Sequence, residues 1–312
     1  MCVAAGISGL IPGLGGLLHA QESRPTQSWA ALIESDQPAL WWNFDDKSLT
    51  DVKTAGDVDF KSQAAGKVQL AKSGPGRSVS RLFSDRNSAV EFFGAPGAIK
   101  VTDPGTRSLL DFDRGDALTI EAWVQPRPIG GSRYMYIVGK GRTGNKGVAG
   151  DNQSYALRLQ GSGSGAVLSF LFRSAADDKK GGDFHRWTSS GGFPVDGNWH
   201  HVAVSYEFGK ADSLRGYVDG RPVAGVWDIG GATSRGPVVD DDELWIGSSM
   251  GMQAGSTFHG LMDEVAIYRT ALSEERIRAR VPFVPRAAAP PTPESAPPRD
   301  AVLVEVFDGI PD

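Results

Sequence analysis

The sequence predicts an all-β protein, a β-sandwich carrying one short helix near its C-terminal end. Three observations carry that expectation. The 312 residues include 40 glycines and 19 prolines, punctuation suited to many tight turns. Short apolar runs, several of them alternating with polar residues, recur between those turns. One stretch, "TALSEERIRARV", has the signals of a helix start: Ser273 as N-cap, Glu274 and Glu275 in the first turn, and Leu272 and Ile277 placed as a hydrophobic staple.

The chain divides by composition. Residues 1–20 are apolar and uncharged and end in small residues, which reads as a signal peptide cleaved after Ala20, although the first basic residue is Arg24 and no basic n-region precedes it. Export to the periplasm, the cell surface or the medium follows as the expected localisation. Cys2 is the sole cysteine, so no internal disulfide forms. Residues 21–27 form a polar tether, and 28–281 read as one globular unit. "PFVPRAAAPPTPESAPPRD" (282–300) is a Pro/Ala-rich linker expected to be extended. "AVLVEVFDGIPD" (301–312) alternates like a strand that either docks back or begins a further domain.

Within the globular unit the expected strands are Ala89–Phe93, Ala98–Val101, Ala117–Val124, Met135–Gly139, Tyr155–Leu159, Val167–Phe172, His201–Tyr206, Leu214–Val218, Arg221–Val226, Glu243–Ile246 and Leu261–Tyr268. In "GYVDGRPVAG", Asp219-Gly220 calls for a two-residue hairpin turn in which both central residues take positive φ. The expected helix is Ser273–Arg280.

A net charge of −5 and a pI near 5.6 give no electrostatic footprint for nucleic acid or an anionic membrane. The pair His200–His201 in "NWHHVAVSYE" suggests a metal or catalytic site, but neighbouring strand residues point to opposite faces, so the pair is expected to be structural. "GSSMG" (247–251) matches a nucleophile elbow without the helix, acid and histidine that must follow. "GKGRTG" (139–144) matches a dinucleotide loop without its helix. The acidic run Asp240–Glu243 is expected to be a solvated loop.

Five ordered blocks carry a resemblance: "ALTIEAWVQP", "NWHHVAVSYE", "LRGYVDGRPVA", "LWIGSS" and "FHGLMDEVAIYRTALSEERIRA". Together, from about Trp41 to Arg280, they resemble the laminin-G-like jelly-roll domains of the concanavalin A-like lectin/glucanase superfamily, in the form found within large exported bacterial proteins. The resemblance implies two curved antiparallel sheets with Trp123 and Trp199 at family strand positions. It leaves function open, because the fold hosts lectins, hydrolases and spacers. The superfamily's hydrolases use a Glu-x-Asp-x-x-Glu strand, and none is present: Glu34 and Asp36 are followed by Ala39. Asp263-Glu264 are adjacent and expected to face opposite ways. Domains of this fold often hold a structural Ca²⁺ through a carboxylate and backbone carbonyls, which makes Asp45 and Asp263 the candidate metal ligands. Asp263 capping backbone N–H groups without a metal is the alternative.

The stretch 177–192 is richer in charge and aromatics than a turn requires. Asp183, His185, Arg186 and Trp187 are the candidate ligand-binding residues, with Trp187 as a stacking platform for a sugar ring. The alternative is a strand that alternates these residues between faces. The sequence thus points to a non-catalytic exported binding module, monomeric within a longer chain. Its partner would be a glycan or an extracellular or cell-surface protein, with no nucleic acid and no membrane insertion after signal cleavage. A structural spacer and an atypical glycoside hydrolase remain the other two readings.

Overall fold

The apolar runs between the glycine turns become strands in the computed structural model of the chain, which describes Met1 and residues 28–45, 49, 53–54, 60–105, 107–131, 133–176 and 182–281. The expected signal peptide, tether, linker and C-terminal tail lie outside the described residues, save for Met1. In chain order the strands are β1 (Leu40–Trp42), β2 (Lys53–Thr54), β3 (Ser62–Ser73), β4 (Ser88–Val101), β5 (Ala117–Pro126), β6 (Tyr134–Lys140), β7 (Tyr155–Ser162), β8 (Gly165–Arg173), β9 (Phe184–Pro194), β10 (His200–Glu207), β11 (Arg215–Val218), β12 (Arg221–Val223), β13 (Gly225–Ile229), β14 (Leu244–Ile246) and β15 (His259–Tyr268). All pairings are antiparallel.

Hydrogen bonding runs unbroken in the order β12-β11-β10-β5-β15-β4-β14-β6-β7-β8-β9-β13, with β1, β2 and β3 attached beside it. The path folds over so that β10, β5 and β15 face β7, β8 and β13, giving the two expected layers, joined through β4 and β14. Alternation decides what lies between them. Ile120, Ala122 and Val124 of β5 and Val202, Val204 and Tyr206 of β10 meet Leu157, Leu168 and Phe170 of the facing layer in one core. Tyr206 stands 5.7 Å from the Phe170 ring centre, and 5.7 Å from that of Trp227.

The residues of β5 that point the other way build a second, smaller core outside the sandwich. Trp123 packs there with Trp29, Phe83, Trp41, Tyr268 and Ile277. Two short helices cover it. One is the expected C-terminal helix, α2 (Glu274–Arg278), capped by Ser273. The other, α1 (Trp29–Ser35), was not expected; Ser28 caps it by accepting from the Ala31 N–H at 3.1 Å, and it buries Trp29, Leu32 and Ile33. The single-helix expectation is corrected by this N-terminal turn, which is too short to show a helical period.

Other local expectations hold or fail for visible reasons. Asp219 and Gly220 take φ of 49° and 71°, as the hairpin demands. The run Arg221–Val226 is not one strand: after Val223 the chain crosses to the other layer, where β13 pairs with β9. The acidic run is not a solvated loop. Lys140 is fully buried, its ammonium 2.7 Å from Asp103 Oδ2 and donating to the carbonyls of Asp240 and Asp242 at 2.6 Å each. Asp242 is itself buried and accepts from Thr143, Asn145 and Asn152.

Candidate functional site

β9 settles where the residues 183–187 point. His185 and Trp187 face the core; Phe184, Arg186 and Thr188 face outward. Trp187 is 5% exposed, and its indole lies against the backbone of Gly216 and Gly225. The surface stacking platform expected there is therefore corrected to a core residue: the ring is spent on packing. His185 is also buried, stacked on Phe172 with ring centres 5.1 Å apart. Its Nδ1 meets the Gly231 carbonyl at 2.9 Å and its Nε2 meets Ser174 Oγ at 3.2 Å, so both nitrogens are partnered inside the protein. The Asp183 main chain pairs with Ser174. Of the candidates on β9, His185 and Trp187 are turned inward and Arg186 reaches the outer face.

That outer face is a built polar surface. Arg186 makes two parallel hydrogen bonds to Asp228, Nε to Oδ1 at 2.8 Å and Nη2 to Oδ2 at 2.7 Å, and a third to the Tyr134 hydroxyl. Thr188 donates to Asp228 at 3.1 Å. Although partial burial pushes Asp228 up, the Arg186 guanidinium holds its carboxyl below the usual range. Arg158, buried beneath, stands 4.2 Å from the Tyr134 ring centre and 5.3 Å from that of Tyr136, and donates to Ser169 at 2.8 Å. A half-buried tyrosine ring thus lies on the Arg158 guanidinium with its hydroxyl on Arg186, beside a carboxylate and a hydroxyl.

A second polar site lies where β15 changes partner. Its residues 259–262 pair with β4, and 265–267 pair with β1. Between them the register against β5 shifts by one residue and Glu264 takes φ of 54°, a β-bulge. The bulge corrects the expectation that Asp263 and Glu264 face opposite ways: both are turned out of the main core, and both are buried. Asp263 accepts from the Glu264 N–H at 2.8 Å and from Asn87 Nδ2 at 2.8 Å; Glu264 accepts from Trp41 Nε1 at 2.5 Å. Asp45 arrives at the same seam, accepting from the Ser88 N–H at 2.9 Å. Burial pushes Asp263 well above the usual carboxylate range, and Glu264 and Asp45 add to it; burial and Asp45 do the same to Glu264. No lysine or arginine pairs with Asp263 or Glu264 among the described residues, nor do three His, Cys, Asp or Glu side chains gather as a metal cage.

The two histidines diverge as strand residues must. His201 faces the outer core, its Nε2 3.0 Å from Glu121 Oε2, within a buried group that sequence reasoning missed. Arg280 reaches Glu121 at 3.0 Å through Nε and Asp36 at 2.6 Å through Nη1, and the Tyr268 hydroxyl donates to Glu121. Burial alone would raise Glu121, but Arg280 and His201 hold it at about 2. The signal was a glutamate in the apolar run "LTIEAWV", a charge that a buried strand keeps only when paired. Ser249 of the elbow-like "GSSMG" is buried and donates to the Arg142 carbonyl at 2.9 Å.

Two antiparallel layers wound this way, with outer faces bearing polar side chains, define a jelly-roll domain. A family model, Laminin_G_3, described as the concanavalin A-like lectin/glucanases superfamily, matches residues 94–278, more than half of the chain, and the chain belongs to that family. Among curated proteins none matches the sequence. Solved structures similar to it include domain 4 of AbnA, a GH43 extracellular arabinanase from Geobacillus stearothermophilus, in complex with arabinotriose. That match has 14% identity and a TM-score of 0.48, covering 79% of this chain and 98% of that one. The binding domain of Paraclostridial Mosquitocidal Protein 1 is similar at 13% identity with a TM-score of 0.50; 78% of this chain is covered, and it spans about half of that one, 51%. These likenesses are likenesses of fold.

Proposed function

We propose that the chain is a non-catalytic binding module of an exported protein, taking carbohydrate on the outer face of the β6–β9 layer. The observation that carries this reading is the half-buried Tyr134 ring, backed by Arg158 and held by its hydroxyl on Arg186, with Asp228 and Thr188 alongside. An aromatic face covers the apolar C–H surface of a sugar ring, and a fixed guanidinium–carboxylate pair offers donors and acceptors to its hydroxyls. The non-catalytic reading is supported by the state of the carboxylates. Asp228 is tied to Arg186, and Asp263 and Glu264 are buried, so none stands as one of two opposed groups across a substrate-accessible cleft.

Asp45 and Asp263 are the residues proposed to hold Ca²⁺. Their oxygens suit a hard cation, and Asp263, buried with no lysine or arginine beside it among the described residues, is a carboxyl whose ionised form a cation would stabilise. With two carboxylates, backbone oxygens would complete the shell. Bound there, the ion would supply positive charge at the seam of β1, β4 and β15; Asp263 and Asp45 would serve as ligands and orient that seam, with no chemical step involved.

The test is titration of the chain with neutral oligosaccharides of glucose, mannose, galactose, xylose and arabinose, alongside Arg186→Ala and Tyr134→Ala. Binding that both variants weaken supports the reading. Val226 and Ile229, exposed on the edge strand β13 next to Asp228, favour an extracellular protein as the second reading if no saccharide binds.

A further inference from the structure

Arg158 on β7 stands directly across from Tyr136 on β6 and from Ser169 on β8; Ser169 stands across from Thr188 on β9, and Thr188 across from Val226 on β13. Residues opposite one another in a ladder share a face, so Arg158 lies on the same side of the sheet as Tyr134, Arg186 and Asp228. It is 5% exposed, with the Tyr134 and Tyr136 rings packed on its guanidinium.

A buried charge is normally answered by a neighbour of opposite sign. Arg158 lacks one: among the described residues no carboxylate pairs with it, its Nη2 donates to the neutral Ser169 hydroxyl at 2.8 Å, and its Nε has no hydrogen-bond partner. Burial, and the like charge of Arg186, press the guanidinium below its ordinary range, with Tyr136 and Tyr134 opposing them. Asp228, the carboxylate beside this group, is already committed. Both of its oxygens accept from Arg186, and one accepts from Thr188 as well. Arg158, Arg186 and Asp228 together therefore leave one positive charge unanswered.

Arg158 is too deep to touch a ligand, and what it contributes is charge. The contact falls to Arg186, whose side chain is 19% exposed. Its Nε and Nη2 donate to Asp228 and its Nη1 to the Tyr134 hydroxyl. Each terminal nitrogen of a guanidinium carries two hydrogens, so Nη1 and Nη2 each keep one N–H for a further acceptor.

We infer that the saccharide taken on this face is acidic, a uronate or a sialate, whose carboxylate accepts from Arg186 and supplies the negative charge that Arg158 lacks. A carboxylate borne on a ring carbon projects from the sugar and leaves an apolar C–H face to lie on Tyr134. The inference rests on the carbohydrate-binding reading of the same face and narrows its ligand class.

The test is calorimetric titration of the wild-type chain with two matched pairs, trigalacturonate against its methyl ester and sialyllactose against lactose. Each pair compares a sugar with and without its carboxylate charge. The acidic member of one pair should bind about fivefold or more tighter than its neutral partner, and the pair that responds tells uronate from sialate. In Arg158→Met that ratio should fall towards one, and in Arg158→Lys, which keeps the charge, it should persist. Neutral sugars bound as tightly as acidic ones would overturn the inference and leave the carbohydrate reading standing. No saccharide bound at all, acidic or neutral, would overturn both. An undiminished ratio in a folded Arg158→Met would also overturn the inference, and because the wild-type comparison needs no variant, a misfolded Arg158→Met does not shield it.

Discussion

Trp187 lies so close over Gly225 that a Cβ added at that glycine would stand 2.2 Å from Cζ2 of the indole. Gly216 is similarly placed, 2.6 Å from Cη2. The ring therefore occupies space that backbone alone can border, between β9, β11 and β13. Trp187→Ala should cost about 3–5 kcal/mol in folding, and Gly225→Ala about 1–3 kcal/mol by overpacking. Chemical denaturation measures both. A Trp187→Ala chain as stable as wild type would show that the indole is not core after all.

Arg186 behaves oppositely. It is partly exposed and bridges Asp228 to Tyr134 on a wet surface, where an ion pair contributes about 1 kcal/mol or less. Arg186→Ala should leave melting nearly unchanged while weakening saccharide binding at that face by about tenfold, roughly 1–2 kcal/mol. Calorimetric titration beside a melting curve reads both numbers. A large melting loss with intact affinity would assign Arg186 to structure.

Glu121 carries the acid limb of stability. Its carboxyl is held at about 2 against an ordinary 4.5, so its ionised form favours the fold. The contribution, roughly 3 kcal/mol, is complete above pH about 4.5 and is lost as pH falls towards about 2. Glu121→Gln should flatten that limb and cost about 3–5 kcal/mol at neutral pH, because Arg280 and His201 lose their shared counter-charge. Unfolding followed from pH 2 to 7 in both chains is the measurement; parallel curves would remove Glu121 from the account.

How much of this was legible beforehand follows from the physics of each signal. The Asp219-Gly220 turn and the Ser273 cap are local, set by backbone conformation and one side chain, and both stand where the sequence places them. β3, "SQAAGKVQLAKS", has no fully buried residue and hence no apolar face to announce it. The fate of Trp187 depended on glycines 29 and 38 residues further along the chain, and alternation alone could not say which face was core. For Asp263 and Glu264 alternation does not hold, because a bulge at a strand fork inserts one residue. The candidate residues Asp45 and Asp263 do meet at one seam, whereas His185 and Trp187 are turned away from Arg186 by the same alternation that separates His200 from His201.

The seam gives the last prediction. Asp263 and Glu264 are raised above ordinary values of 3.8 and 4.5, chiefly by burial, so the fold favours their protonated forms. Without a cation, their contribution is complete below about pH 4 and is lost as pH rises through the raised values. A cation at Asp45 and Asp263 would reverse the preference, because it binds the ionised carboxylate. Calcium should thus raise the melting temperature little at pH 4 and increasingly towards pH 8. Extracellular modules bind Ca²⁺ with Kd of roughly 10⁻⁴–10⁻³ M, and at about ten times Kd the gain is roughly 1.4 kcal/mol, a few degrees. Asp263→Asn should lose the calcium response and become less sensitive to pH in chelator, since the neutral amide carries no buried charge. Melting curves at pH 4, 6 and 8, with calcium or chelator, separate the possibilities. A wild-type chain indifferent to calcium at pH 8 would leave Asp263 as the acceptor that holds Asn87 and the Glu264 amide across the fork, and nothing more.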